Sequence, residues 1–198
     1  MKSAALRYVE EEPVHEYGST VPELREVEAR PRSLGKGVVA GLVGGLIGTI
    51  AMNEFQKAWS KTAQAVQKSD HAQAQQGEQE SESATMKAAG KIAHIGGREI
   101  SHEQKKKAAP VVHYGFGTLQ GALYGAMTEL TRTPGGFVPG LIFGAALFAL
   151  ADEVAVPALG LSGKPKEYPA STHLHAAAAH CVYGMATEIA RRGLRAAI

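Results

Sequence analysis

Of the 8 histidines and 19 acidic residues in this 198-residue chain, six are the candidates to move protons or hold a cation: His113, Asp152, Glu153, His173, His175 and His180. Imidazole changes charge near physiological pH, and a nearby carboxylate favours its charged form. All six fall at or inside segments rich in Ala, Gly, Leu and Val. An ionisable group in such a segment is costly, so it normally faces the interior of a bundle, pairs with another, and marks a proton, ion or ligand path. Histidine and carboxylate also ligate zinc, iron or manganese, and HLHAAAAH supplies three imidazoles. The spacing works against a metal: His173 and His180 share a helix face, His175 lies on another, and no Glu-x-x-His pair of the di-iron type falls inside an apolar segment. No cofactor is therefore expected. No nucleophile with a base at readable spacing, no GxSxG and no phosphate loop is present, so no enzymatic reaction is expected either.

The elements that must carry these residues are marked by small side chains at every fourth position. Gly37, Gly41, Gly45, Thr49 and Asn53 form one stripe, and His113, Gly117, Gly121, Gly125 and Glu129 a second. Gly136, Gly140 and Gly144 form a third that Phe148 interrupts before Asp152; Ala176, His180, Gly184 and Glu188 form a fourth. In a water-soluble helix each such glycine costs about 1 kcal/mol relative to alanine. In lipid, where no hydrophobic force draws helices together, small-xxx-small spacing lets backbones touch. The expected packing residues are Gly41, Gly45, Gly117, Gly121, Gly125, Gly140, Gly144 and Gly184. A buried soluble bundle competes with this reading, since about 20 apolar residues are needed to cross a bilayer and Gly37 to Met52 gives sixteen. Two features favour the bilayer. A helix apolar all round has no polar face to offer water, and Trp59, Tyr114 and Tyr168 fall near one boundary, as an aromatic belt would.

The expected fold is thus all-α and polytopic, with four glycine-rich transmembrane helices arranged as two repeated hairpins. A polar N-terminal tail covers 1–35, a membrane domain 36–192 with spans near 37–57, 111–130, 137–157 and 172–190, and a short tail 193–198. The loop 58–110 is partly helical. Residues 60–83 lack aromatics and cannot bury enough apolar surface to order themselves. From Ala84 a helical pattern runs to Gly96 and Gly97, and Ser101 with Gln104 makes a capping box for a second short helix. Glu129 with Arg132 and Glu188 with Arg192 read as interfacial ion pairs at i,i+3 and i,i+4. A net charge of +2 and the lack of basic clusters interleaved with aromatics exclude nucleic acid as a partner. The single cysteine, Cys181, excludes an internal disulfide framework. The bilayer is the expected partner, with self-association left open. Lys and Arg divide evenly across the spans, and the arginines preceding the first span place the termini in the cytoplasm.

Helix 2 closes with Tyr124, Gly125, Thr128 and Glu129, and helix 4 with Tyr183, Gly184, Thr187 and Glu188. Two hairpins of like orientation would pack about a pseudo-twofold axis along the membrane normal. The segments VVHYGFGTLQGALYG, FALADEVAVPALGLS and STHLHAAAAHCVYGMATE resemble the YagU-like family of bacterial inner-membrane proteins, over roughly residues 36–192. The resemblance implies a multi-pass location in the bacterial inner membrane and a small helical bundle. It implies no catalytic residues. Three functions remain: a protein whose buried His/Asp pair senses or relays protons, a small transporter or channel subunit, and a metal- or haem-binding anchor.

Overall fold

The computed structural model describes residues 33–67, 82–133 and 135–198. Most of the expected tail 1–35, and residues 68–81 of the loop, lie outside the described residues. The first stripe lies in α1 (Leu34–Gln67), one unbroken helix. It runs on past the expected limit at 57, because residues 58–67 offer no glycine or proline to stop it. α2 (Ala84–Ile95) starts at Ser83, whose hydroxyl accepts the Met86 N–H, and stops at Gly96 and Gly97. Gly97 has φ 73°, a left-handed conformation that glycine adopts freely.

The capping box at Ser101 is formed, with Ser101 Oγ accepting the Gln104 N–H and Gln104 Oε1 accepting the Ser101 N–H at 2.8 Å. It opens no separate short helix. It opens α3 (His102–Thr131), which passes through Pro110 and carries the whole second stripe. Proline costs the helix one N–H and frees the carbonyl of Lys106. Lys106 is exposed.

The third apolar segment departs most from expectation. α4 (Phe137–Leu147) gives way to a π-helical stretch over Phe148–Ala155, then to the single turn α5 (Val156–Ala158). The Val156 N–H bonds the Ala151 carbonyl, five residues back. Pro157 has no N–H, and its ring would crowd the Glu153 carbonyl in an α-helix. The wider π turn accommodates this, and such turns are frequent at functional sites. A 3₁₀ turn (Pro165–Glu167) leads into α6 (Ala170–Ala197).

α1 packs against both α3 and α6, α4 against α6, and α2 against α3. The α1–α3 register follows the stripes. A Cβ built on Gly45 would lie 2.9 Å from Gly121 Cα, and one on Gly41 3.0 Å from Gly125 Cα. Gly37 faces Glu129, Gly117 faces Thr49, and Asn53 reaches His113. On its other face α1 sets Gly44 and Gly48 against the Thr187 and Tyr183 carbonyls of α6. Between α4 and α6, Gly140 meets Gly184 and Gly144 meets the His180 carbonyl. Tyr124 of α3 stacks on Phe143 of α4 at 4.2 Å and closes the ring of helices.

Beside a core of small residues, Met52, Tyr124, Leu161 and Tyr183, these helices bury several polar side chains and expose many large apolar ones. Thr49, Thr128, His180, Thr187, Glu188 and Arg191 are buried, while Leu42, Leu46, Ile47, Ile50, Leu119, Leu123, Leu141 and Ile142 are exposed. Two segments, Leu34–Ala63 and Phe137–Ala158, are long and apolar enough to cross a membrane. α3 and α6 carry more polar residues along their length, which keeps them below that measure.

Candidate functional site: a histidine and carboxylate cavity

A cavity of about 560 Å³ opens between the C-terminal half of α1, α2, the N-terminal half of α3, the π-helical stretch and the start of α6. Five of the six residues singled out for chemistry line it: His113, Asp152, Glu153, His173 and His180. His175 does not. It stacks on Trp59 at 5.1 Å on the neighbouring face, with its Nε2 buried and unpartnered.

His173 Nε2 lies 3.0 Å from the Pro165 carbonyl, which can only accept, so this nitrogen carries a proton. Its Nδ1 lies 2.6 Å from Glu153 Oε1. His173 and Glu153 therefore form a closed pair with a proton on the line between them and no ring nitrogen to spare.

His180 is arranged differently. Helical side chains lean toward the N-terminus of their helix, so His180 reaches down one turn of α6. There its Nδ1 donates to the Ala176 carbonyl at 2.9 Å and stands 3.7 Å from Asp152 Oδ2. Asp152 accepts no hydrogen bond from any described residue. Asp152 lies within the π-helical stretch, and Phe148, at the start of that stretch, sets its ring 5.9 Å from that of His180.

His113 sits where the α1 and α3 stripes end together. Asn53 Nδ2 donates to the Tyr114 hydroxyl at 2.9 Å. In that amide orientation, Asn53 Oδ1 accepts from His113 Nε2 at 3.1 Å, leaving His113 Nδ1 as an acceptor. Tyr183 completes this corner, donating from its hydroxyl to the Gly117 carbonyl at 2.6 Å.

α2 supplies the cavity's outer wall through Ala84, Thr85, Ala88 and Ile92. It is tied down at both ends. Lys105 of α3 donates to Glu82 at 2.8 Å, and Lys91 donates to the Leu159 carbonyl. The Lys105 hydrogen bond holds the Glu82 carboxyl below its ordinary value. Residues unforeseen as part of the site are thus Phe148, Tyr183 and the inner face of α2. Asn53 did carry a signal, since it ends the α1 stripe as His113 begins that of α3.

The expected ion pairs at the opposite end are corrected by the structure. Glu188 pairs with Arg191, at 2.8 and 3.0 Å, rather than with Arg192. Arg191 lies on the buried face with Thr187 and Glu188, whereas Arg192 is exposed. Glu129 pairs with Arg195 at 2.6 Å rather than with Arg132, which follows α3 in a left-handed conformation (φ 53°) that ends the helical spacing. Among the described residues no group of three or more His, Cys, Asp or Glu side chains is placed to hold a metal ion. Compared with protein families, curated proteins and solved structures, the chain shows no significant match.

Proposed function

We propose that this chain is an integral protein of a bacterial inner membrane, without enzymatic activity, in which Asp152 and His180 exchange protons with the cavity. One observation carries the reading. A carboxylate that accepts no hydrogen bond faces an imidazole at 3.7 Å on the wall of a mostly apolar cavity, within a bundle that buries Glu188 with Arg191 and exposes most of its leucines. Such groups are retained at membrane depth for ion or proton traffic rather than for packing.

In this reading α1, α3, the α4–α5 segment and α6 are the four spans, and the hairpins α1–α3 and α4–α6 are two copies of one motif. Supporting the repeat, Tyr124, Gly125 and Thr128 are buried on α3 just as Tyr183, Gly184 and Thr187 are on α6. Both following glutamates, Glu129 and Glu188, take an arginine from α6. The resemblance to the YagU-like family fits the same placement.

The test is a titration of the histidine ring signals by NMR on the protein in detergent micelles. Proton exchange between the two predicts that the response of the His180 signal to pH changes in Asp152→Asn while that of His175 does not. A His180 response that Asp152→Asn leaves unchanged would refute proton exchange.

A further inference from the structure

We propose that the cavity binds a lipophilic cation, a molecule with an apolar body and one protonated amine, with Asp152 as its counter-ion. The inference rests on the membrane-cavity reading above and adds the chemistry of the ligand. Two observations carry it, namely the material of the walls and the hydrogen-bonding atoms left over once the internal bonds are assigned.

The walls are apolar, formed chiefly by Met52, Phe116, Leu147, Phe148, Val156 and Tyr183. A volume of about 560 Å³ falls in the ordinary range for small-molecule sites, roughly 300 to 1,000 Å³. The polar groups converge on one side of it. Their donors are spent internally: His180 Nδ1–H on the Ala176 carbonyl, His113 Nε2–H on Asn53, and both nitrogens of His173 on Pro165 and Glu153. The Tyr183 hydroxyl is spent on Gly117.

Among the histidines, with their rings neutral, and the carboxylates of this side, what remains can only accept: both oxygens of Asp152, the second nitrogen of His180 and that of His113. An ammonium group offers three donors and a positive charge, which matches this acceptor set. A carboxylate or phosphate ligand would meet Asp152 with like charge, and the free donors it would find on the lining, on Gln56, Tyr168 and Thr172, are uncharged. The Glu153 carboxylate does not compete for the ligand, because His173 already neutralises it at 2.6 Å. Asp152 has no such bond, and its side chain keeps 39% of its surface accessible.

The experiment uses three probes sharing one aromatic body: 1-naphthylmethylammonium, 1-naphthylmethanol and 1-naphthylacetate. Binding to the full chain in a neutral maltoside detergent is measured by calorimetry, with empty detergent as reference. The amine is expected to bind about tenfold or more tighter than the carboxylate, the scale of one charge-assisted hydrogen bond. Asp152→Asn should remove that preference while leaving binding of the neutral alcohol unchanged, which also shows that the variant is folded. Glu54→Gln, which removes an exposed carboxylate at the same end but outside the cavity, should leave the preference intact. Should Asp152→Asn fail to fold, the order of the three probes on the wild-type protein decides. Equal binding of the three, preference for the carboxylate, or binding of none overturns the cation assignment. Any of these leaves proton exchange to be judged by the His180 titration, so the two readings fail separately.

Discussion

Gly121→Ala sets a methyl group against the backbone of α1. The new Cβ would lie 2.5 Å from Gly45 Cα and 2.7 Å from Gly45 N, and neither atom can rotate away as a side chain could. Bringing 2.5 Å to the 3.4 Å at which ordinary contact begins parts the two helices by about 0.9 Å at this point. A gap of about 0.5 to 1 Å forfeits a quarter to a half of the dispersion attraction for each atom pair along the seam. Overpacking of this kind costs about 1 to 3 kcal/mol, against which alanine's better helix propensity returns at most about 1 kcal/mol. Gly115→Ala, two turns earlier in α3, is the matched control. Nothing lies within 4 Å of the Cβ it would add, so only the favourable propensity term applies. The two variants should therefore move stability in opposite directions. Thermal unfolding in detergent, followed by loss of helical circular dichroism, reads this directly. Equal midpoints for Gly121→Ala and Gly115→Ala would refute the argument that these glycines exist for close backbone approach.

Arg191→Leu leaves Glu188 buried without its partner and should cost about 3 to 5 kcal/mol, most of which the double variant Glu188→Leu with Arg191→Leu recovers; denaturant titration of the three proteins checks it. Tyr183→Phe removes the hydroxyl that donates to Gly117 and should lower stability by about 1 kcal/mol, measured in the same way. With Cys181 replaced by serine, single cysteines at Ser101 and Thr133 should react with an impermeant maleimide from opposite faces of a vesicle, and reaction from one face would overturn the four-span arrangement. The Glu82 carboxyl is held below its ordinary value by the Lys105 hydrogen bond. Its contribution to docking α2 is thus present above the unfolded carboxylate value and lost as pH falls through the lower folded value. Hydrogen exchange of the α2 amides should accelerate under strong acid, and Lys105→Met should abolish that dependence.

How much of this was legible in the sequence depended on whether a feature is local to one helix or set between two. The stripes are local, and aligning their polar ends in antiparallel order already sets Asn53 beside His113. The capping box at Ser101 is local too, but its sequence cannot say how far a helix runs once opened, and the short helix expected there is the first part of α3, which runs on through Pro110. The π turn was illegible, since the residues from Phe148 to Ala155 would compose an ordinary α-helix, and Pro157 alone does not announce it, as α3 runs through Pro110 without one. The misassigned arginines show the same limit. Helical spacing permitted Glu188 with Arg192, but the burial of one face of α6 chose Arg191. Glu129 found its partner on another helix altogether.

α1 presents two glycine faces, one to α3 and one to α6, and this orders the biogenesis of the protein. During synthesis α1 emerges before either partner exists, and its second seam joins Gly44 and Gly48 to residues near Thr187, almost at the other end of the chain. Contacts so distant in sequence form slowly, because the intervening chain must be gathered first. The pairing of α4 with α6 spans far fewer residues and can form as soon as α6 is made. The nascent chain thus holds α1 with one face unmatched until α6 has been made, and loss of α6 through premature termination would leave α1 without one of its two main partners.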